Sequence, residues 1–232
     1  NSSYTIPSSV NCIGDYAFAW AYNLEKITLS DNIITIGDYA FYACGSLVNI
    51  KLPSTVTSIG TYAFYGTYIY EIEIPEGVTV LEDGVFASCS KLSSVTIPEG
   101  VRVIGAFAFG WSDKLTSITL PSTVTTIGDD AFRACFGLTS IDIPENVTSI
   151  GNDAFYSCSY ITTITIPNSV VSIGSNVFVN CYKLENITIP DSVTSIGSWA
   201  FNSCSKLKSV TLPKNLKTIN DNTFYNCISL EE

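Results

Sequence analysis

The amino-acid sequence predicts a right-handed α/β solenoid of about ten coils, with a parallel β-sheet along its concave face and short strands, turns and short helical or 3-10 turns elsewhere. Three observations predict it. Phe recurs at Phe18, Phe41, Phe64, Phe86, Phe109, Phe132, Phe155, Phe178, Phe201 and Phe224, in steps of 23 residues apart from one step of 22 between Phe64 and Phe86. Pro keeps the same period at Pro7, Pro53, Pro75, Pro98, Pro121, Pro144, Pro167, Pro190 and Pro213, with Ser30 in the missing rung. A short alternating apolar run precedes each Pro. A fixed period of this length marks stacked units, none of which can bury its apolar face alone.

One unit shows the work of each position. Leu115-Thr116-Ser117-Ile118-Thr119-Leu120 reads as a short strand, because Ile118 and Leu120 alternate with polar residues and so share one buried face. Pro121 ends the strand, lacking the N–H a ladder needs. Val124 and Ile127 send a second extended piece inward. Gly128 stands four residues before the Phe, as Gly does in eight units from Gly14 to Gly197, and is expected to allow a turn with positive φ; Glu82 and Asn220 replace it elsewhere. Ala131, Phe132 and Cys135 fit one side of a short helical turn. Strands stacked about 4.8 Å apart make a body roughly 45–50 Å long, with one sheet down one side and a column of Phe inside.

Composition agrees. The 232 residues include no His and no Met, 14% are charged, and 46% are apolar, with many strand-forming Ile, Val and Tyr. A net charge of −10, from 21 acids and 11 bases, argues against nucleic acid and against an anionic membrane surface. No apolar run approaches the length of a membrane span. Residues 1–232 read as a single solenoid domain. Solenoid ends normally need caps, and Leu230-Glu231-Glu232 stops where another strand would begin, so a longer surface protein is expected. Asn1-Ser2-Ser3 begin in mid-pattern with no secretory leader visible, so the sequence is expected to start after one or to be a segment cut from a longer chain.

The run L-x-x-I-x-I matches the strand signature of leucine-rich repeats. The stretch after that run, as in Ile143-Pro144-Glu145-Asn146-Val147-Thr148-Ser149-Ile150-Gly151-Asn152-Asp153-Ala154-Phe155-Tyr156-Ser157-Cys158, closely resembles the BspA-like class. The resemblance covers almost the whole chain and departs from the pattern in the third unit, at Glu82 and at the ends. It implies a leucine-rich-repeat solenoid from bacterial or protozoan surface proteins, extracellular or at the cell surface, associated with adhesion to host matrix proteins or cells. It carries no shared catalytic residues.

Seven of the eight Cys lie three residues after the Phe, at Cys44, Cys89, Cys135, Cys158, Cys181, Cys204 and Cys227; Ala21, Thr67 and Ser112 fill the slot elsewhere. A slot for small side chains reads as a buried free thiol. Parallel side chains on five consecutive rungs cannot all pair, and the chain has neither His nor C-x-x-C for zinc. Cys12 lies off the ladder and is expected to be partly buried beside Ile13.

No catalytic or cofactor set is present. General acid–base work at neutral pH usually recruits His. The best carboxylate pair, Glu71 and Glu73, points out of one strand and reads first as a solvated face; Glu82-Asp83 is a second such pair. Calcium at Glu71, Glu73 and Glu76 has charge but no ligand geometry. No Walker, Rossmann or EF-hand motif occurs.

The concave columns name the partner surface. One runs Lys26, Asn49, Glu71, Ser94, Ser117, Ser140, Thr163, Asn186, Ser209; the other runs Thr28, Lys51, Glu73, Thr96, Thr119, Asp142, Thr165, Thr188, Thr211. Thr simply suits exposed strand positions; a hydroxyl-rich groove for glycan or extended peptide is the functional alternative, and a curved sheet fits an ice lattice poorly. The third unit has lost a residue between Phe64 and Ile69 and holds Tyr62, Tyr65, Tyr68 and Tyr70 ahead of Glu71 and Glu73. Tyr either fills gaps left by the deletion or serves recognition. Trp20, Trp111, Phe136 and Trp199 are expected on the convex side, partly exposed. The candidate partner-binding residues are therefore Tyr62, Tyr65, Tyr68, Tyr70, Glu71, Glu73, Lys51, Thr96 and Thr119. The expected function is a non-catalytic surface module that adheres to host protein; a glycan-binding module and a pure spacer are the alternatives.

Overall fold

The structure, a computed structural model, describes residues 2–231. It is a solenoid of parallel coils. Coils are numbered here by their Phe, so that Phe18 belongs to the first and Phe224 to the tenth. Each coil runs through a front position, a second position and a turn segment that carries the Phe, and most of the front and second positions form strands.

Front strands occupy Ser3–Thr5, Lys26–Thr28, Glu71–Glu73, Ser94–Thr96, Ser140–Asp142, Thr163–Thr165, Asn186–Thr188 and Ser209–Thr211. In five of them the central residue, Ile27, Ile72, Ile141, Ile164 or Ile187, is buried and the flanking residues exposed, as the alternation predicts; Val95 and Val210 are half-buried and Tyr4, in the end strand, is exposed. The expected single front sheet is instead broken into parallel pairs. Coils three and six, at 49–51 and 117–119, form no front strand; an isolated bridge joins Lys26 to Asn49. The second strands are two residues long and pair more continuously. Cys12–Ile13, Thr35–Ile36 and Ser58–Ile59 make one sheet, and six strands from Val80–Leu81 to Ser195–Ile196 make another.

Both lines therefore break between coils three and four. Two causes coincide there. The missing residue between Phe64 and Ile69 shortens the connection into coil four. Glu82 also takes the Gly slot. In the coils on either side a Cβ on that residue would lie 2.6 Å (Gly60, Gly105) from backbone of the preceding coil, far inside van der Waals contact. The Gly is thus needed for close approach of two backbones, not for the positive φ expected of it. A Glu in the slot holds its coil off. The bonds Thr57 N–H to Ile34 O (2.9 Å) and Gly60 N–H to Ile36 O (2.8 Å) have no counterpart from coil four to coil three among the described residues.

The turn segment corrects a second expectation. No helix, α or 3-10, forms among the described residues. Positive φ falls two residues before and two residues after every Phe, with 18 non-Gly residues such as Tyr39 (φ 56) and Ala43 (φ 55) and two Gly, Gly66 and Gly84. A left-handed residue stops a helical turn from propagating. The reason is spacing. An α-helix is about 10 Å across, whereas coils stack at about half that. Alternating turns solve this: Tyr39, Phe41 and Ala43 donate N–H to Thr61, Ala63 and Tyr65 O of the next coil at 2.9, 2.8 and 2.7 Å, while Tyr42 and Cys44 donate back to Tyr39 and Phe41 O.

The ten Phe form the predicted column, with successive ring centroids 5.2–5.8 Å apart and planes within 18° of parallel. Phe41 to Phe201 are fully buried; Phe18 and Phe224 cap the ends half-buried. We expect Phe155→Ala to cost about 3–5 kcal/mol through the cavity it leaves. Gly151→Ala should cost roughly 1–3 kcal/mol by forcing two coils apart. Urea denaturation followed by circular dichroism checks both, and an unchanged midpoint for Phe155→Ala would contradict the column's structural role.

Candidate functional site

The front face opens into a groove of about 680 Å³ at the break between coils three and four. Lys26, Asn49 and Lys51 line one side; Glu71, Glu73, Ser94 and Thr96 line the other. All seven side chains are exposed, because each flanks an inward residue on its coil. No ion pair joins the two lysines to the two glutamates among the described residues. Four of the predicted residues, Lys51, Glu71, Glu73 and Thr96, are thus brought together. Thr119 is exposed but lies on a coil beyond the groove lining.

The predicted tyrosines separate. Tyr68 (43% exposed) and Tyr70 (50% exposed) lead into the front strand of coil four, and Lys91 Nζ sits 5.9 Å from the Tyr68 ring centroid. Tyr62 and Tyr65 belong to the turn segment, in a different cluster. There the rings form a two-by-three block. Tyr16, Tyr39 and Tyr62 stack at 4.8 and 5.4 Å; Trp20, Tyr42 and Tyr65 run beside them at 5.5 and 4.7 Å. Tyr39–Tyr42 and Tyr62–Tyr65 contacts at 5.5 and 5.8 Å join the two rows. The Tyr62 ring lies over Gly84, where any Cβ would collide with it. Sequence reasoning missed Tyr16, Tyr39 and Tyr42 because it read along the third unit. Reading the positions two before and one after each Phe down the column would have found them. Trp20, Trp111, Phe136 and Trp199 are exposed as expected.

Glu71, Glu73 and Glu76 are all exposed, and no group of three or more His, Cys, Asp or Glu among the described residues is placed to hold a metal ion. No helix of the described chain is long and apolar enough to cross a membrane.

The cysteine column is more than a row of small apolar groups. Cys44, Cys89, Cys135, Cys158, Cys181, Cys204 and Cys227 each donate S–H to the carbonyl of the preceding coil's Phe, at 3.0–3.4 Å. Ser112 Oγ does the same to Phe86 O at 2.9 Å. That carbonyl already accepts a backbone N–H, so the slot selects a small donor that serves its second lone pair. Thr67 turns instead to its own coil's Phe64 O, and it contacts Cys89. Burial raises these thiols from the ordinary 9.0, to about 11 at Cys44 and about 12 at Cys89 and Cys135, and well up at Cys158 and Cys181. Cys12, expected to be partly buried, is exposed: it alternates with inward Ile13 on a two-residue strand and so faces out.

The thiols set two expectations. A thiol-specific dye should modify Cys12 at once, Cys227 slowly and the six buried thiols only after unfolding. Since the folded pKa values lie above those of the unfolded chain, the linked stability is whole below about pH 9 and falls as pH rises toward 12. Urea midpoints that stay flat across that window would contradict the assignment.

The sequence pattern described as "BspA type Leucine rich repeat region" matches in 6 copies over residues 11–139 and 125–232. No curated protein matches the chain. Several solved structures do. A leucine-rich cell surface protein from Faecalibacterium prausnitzii is 30% identical, with 100% of this chain aligned to 74% of that one and a TM-score of 0.70. A leucine-rich repeat protein from Bacteroides ovatus is 29% identical over 99% of this chain and 77% of its own, with a TM-score of 0.59. The pneumococcal vaccine antigen PcpA is 25% identical over 92% of this chain and 62% of its own, with a TM-score of 0.65.

Proposed function

Because this chain belongs to the BspA-type leucine-rich repeat family, whose repeats suggest protein-interaction modules, we propose that it is a non-catalytic module of the cell surface that adheres to a host matrix or cell-surface protein. The observation that carries the reading is the front groove. It is concave, polar and charged: Lys26 and Lys51, with Asp31 also in the lining, lie before the break in the sheet, and Glu71 and Glu73 lie beyond it. Exposed charges in fixed positions add specificity and association rate. A protein partner that lays an acidic patch over the lysines and a basic patch over the glutamates satisfies both. Both carboxylates are exposed to solvent, flanking Ile72 on one strand, which supports a binding role over hydrolysis.

A second reading, glycan binding, is favoured by Tyr68 and Tyr70, exposed just ahead of Glu71, together with the hydroxyls of Ser94 and Thr96 in the groove. The test screens the parent protein against host matrix proteins and against a glycan array. For a protein ligand found there, the charge swap of Lys51→Glu with Glu73→Lys should weaken binding about tenfold or more. Tyr68→Ala with Tyr70→Ala should weaken a glycan ligand instead. Blank results in both screens leave the module as a spacer and remove the adhesive reading.

A further inference from the structure

We propose that the turn face of the first four coils is a second docking surface, for an extended cationic segment of a protein partner that carries arginine. The inference extends the interaction-module reading to a face that shares no residue with the front groove.

The surface is the aromatic block of Tyr16, Trp20, Tyr39, Tyr42, Tyr62 and Tyr65, with carboxylates beside it. Asp15, Asp38 and Asp83 each stand three residues before the Phe of their coil, next to the position that carries Tyr16, Tyr39 and Gly84; Glu82 adjoins Asp83. Each Asp uses one oxygen to accept the N–H of the equivalent residue in the next coil: Asp15 from Asp38 at 2.8 Å, Asp38 from Thr61 at 2.8 Å and Asp83 from Ala106 at 2.7 Å. The second oxygen of all three has no hydrogen-bond partner among the described residues, and all three side chains are exposed. Across the turn segments of these coils, 11–21, 34–44, 57–67 and 79–89, there are four acids and no base. Lys26 and Lys51 lie on the front face instead. Burial, together with Asp83 and Asp38, raises the pKa of Glu82, so like charge is crowded here without a counterion.

The ring geometry decides what fits. Tyr16, Tyr39 and Tyr62 are stacked within 16° of parallel, and Tyr42 and Tyr65 within 8°. Stacking along the axis covers the faces and presents edges to solvent. A sugar ring needs a free aromatic face and finds few. Phenol oxygens and carboxylate oxygens are acceptors, and a guanidinium is donor-only with five N–H groups, so it matches such a row better than any neutral ligand. A divalent ion is a poorer fit, since no three carboxylates converge among the described residues. Asp15 and Asp38 are one coil apart and Asp83 two coils further, with Thr61 at the position between. From Asp15 to Asp83 is three coils, about 14 Å, which an extended chain spans in about four residues. The partner segment therefore has basic residues about four apart, with their aliphatic stems along the ring edges.

The test is fluorescence anisotropy with a labelled peptide of about twelve residues, Arg at every fourth position and Ser and Gly between, against the whole chain. Peptides with Glu or Lys in place of Arg are the comparisons. The Arg peptide should bind, weaken with added salt, and exceed the Lys peptide; the Glu peptide should not bind. The variant D38N/E82Q/D83N should weaken the Arg peptide about tenfold, while Asn at 38 and 83 keeps the backbone hydrogen bond and hence the fold, checked by its urea midpoint. Tyr16→Ala with Trp20→Ala, both exposed, should weaken it several-fold. The front-face swap of Lys51→Glu with Glu73→Lys should leave it unchanged. Equal binding of Arg and Glu peptides, no effect of the acid variant, or displacement of the peptide by millimolar calcium would each overturn this proposal. Loss of peptide binding in the front-face swap alone would also overturn it and leave the interaction-module reading standing.

Discussion

Everything in this molecule depends on one length, the rise from coil to coil. Backbone hydrogen bonding between parallel strands sets it near 4.8 Å. The Phe rings, at 5.2–5.8 Å, track it. That length excludes a helix from the turn segment, demands Gly where two backbones meet most closely, and leaves room beneath each Phe carbonyl for only a small donor. The residues that look like independent motifs in the sequence are therefore answers to a single geometric constraint. Buried apolar area then does the stabilising, with each coil covering the next.

The cost of this arrangement is local strain, spread thinly. Two residues in each coil take the left-handed conformation, and most are not Gly. Each costs of order 1 kcal/mol. Interleaved hydrogen bonds to the next coil offset it, since Tyr39 and Ala43 donate across while their neighbours donate within. Isolated, such a turn would relax. Stacked, it is over-determined by the coils on either side.

The coil architecture was legible in the sequence because buried positions admit few side chains. The Phe, Pro and inward Ile positions name themselves by repetition. The turn conformation was not legible, because the left-handed positions hold Tyr, Trp, Phe, Ala, Ser, Asp, Asn and Gly with no common identity; backbone partners in the next coil, not the side chains, impose them. The role of Gly was misread for a related reason: a sequence cannot distinguish a glycine needed for its torsion from one needed for its missing Cβ. Of the candidate residues, Lys51, Glu71, Glu73 and Thr96, which reading down columns picks out, line one groove. Tyr62 and Tyr65 were grouped with Tyr68 and Tyr70 by proximity along the chain, which a coil turns into opposite directions.

The seam at Glu82 bears on mechanics. A chain that tethers one body to another is loaded along its length, and a stack of coils yields where the fewest bonds cross. Between coils three and four the crossing backbone bonds are those of the turn line, Tyr62 to Asp83, Phe64 to Val85 and Gly66 to Ala87, with one long bond from Tyr70 to Val48. Both β lines are absent there. More of these bonds lie on the turn side than on the groove side, so tension along the axis would load the groove side with the fewest bonds to resist it. The residues that line the groove stand on either side of that boundary and are the ones such a load would draw apart.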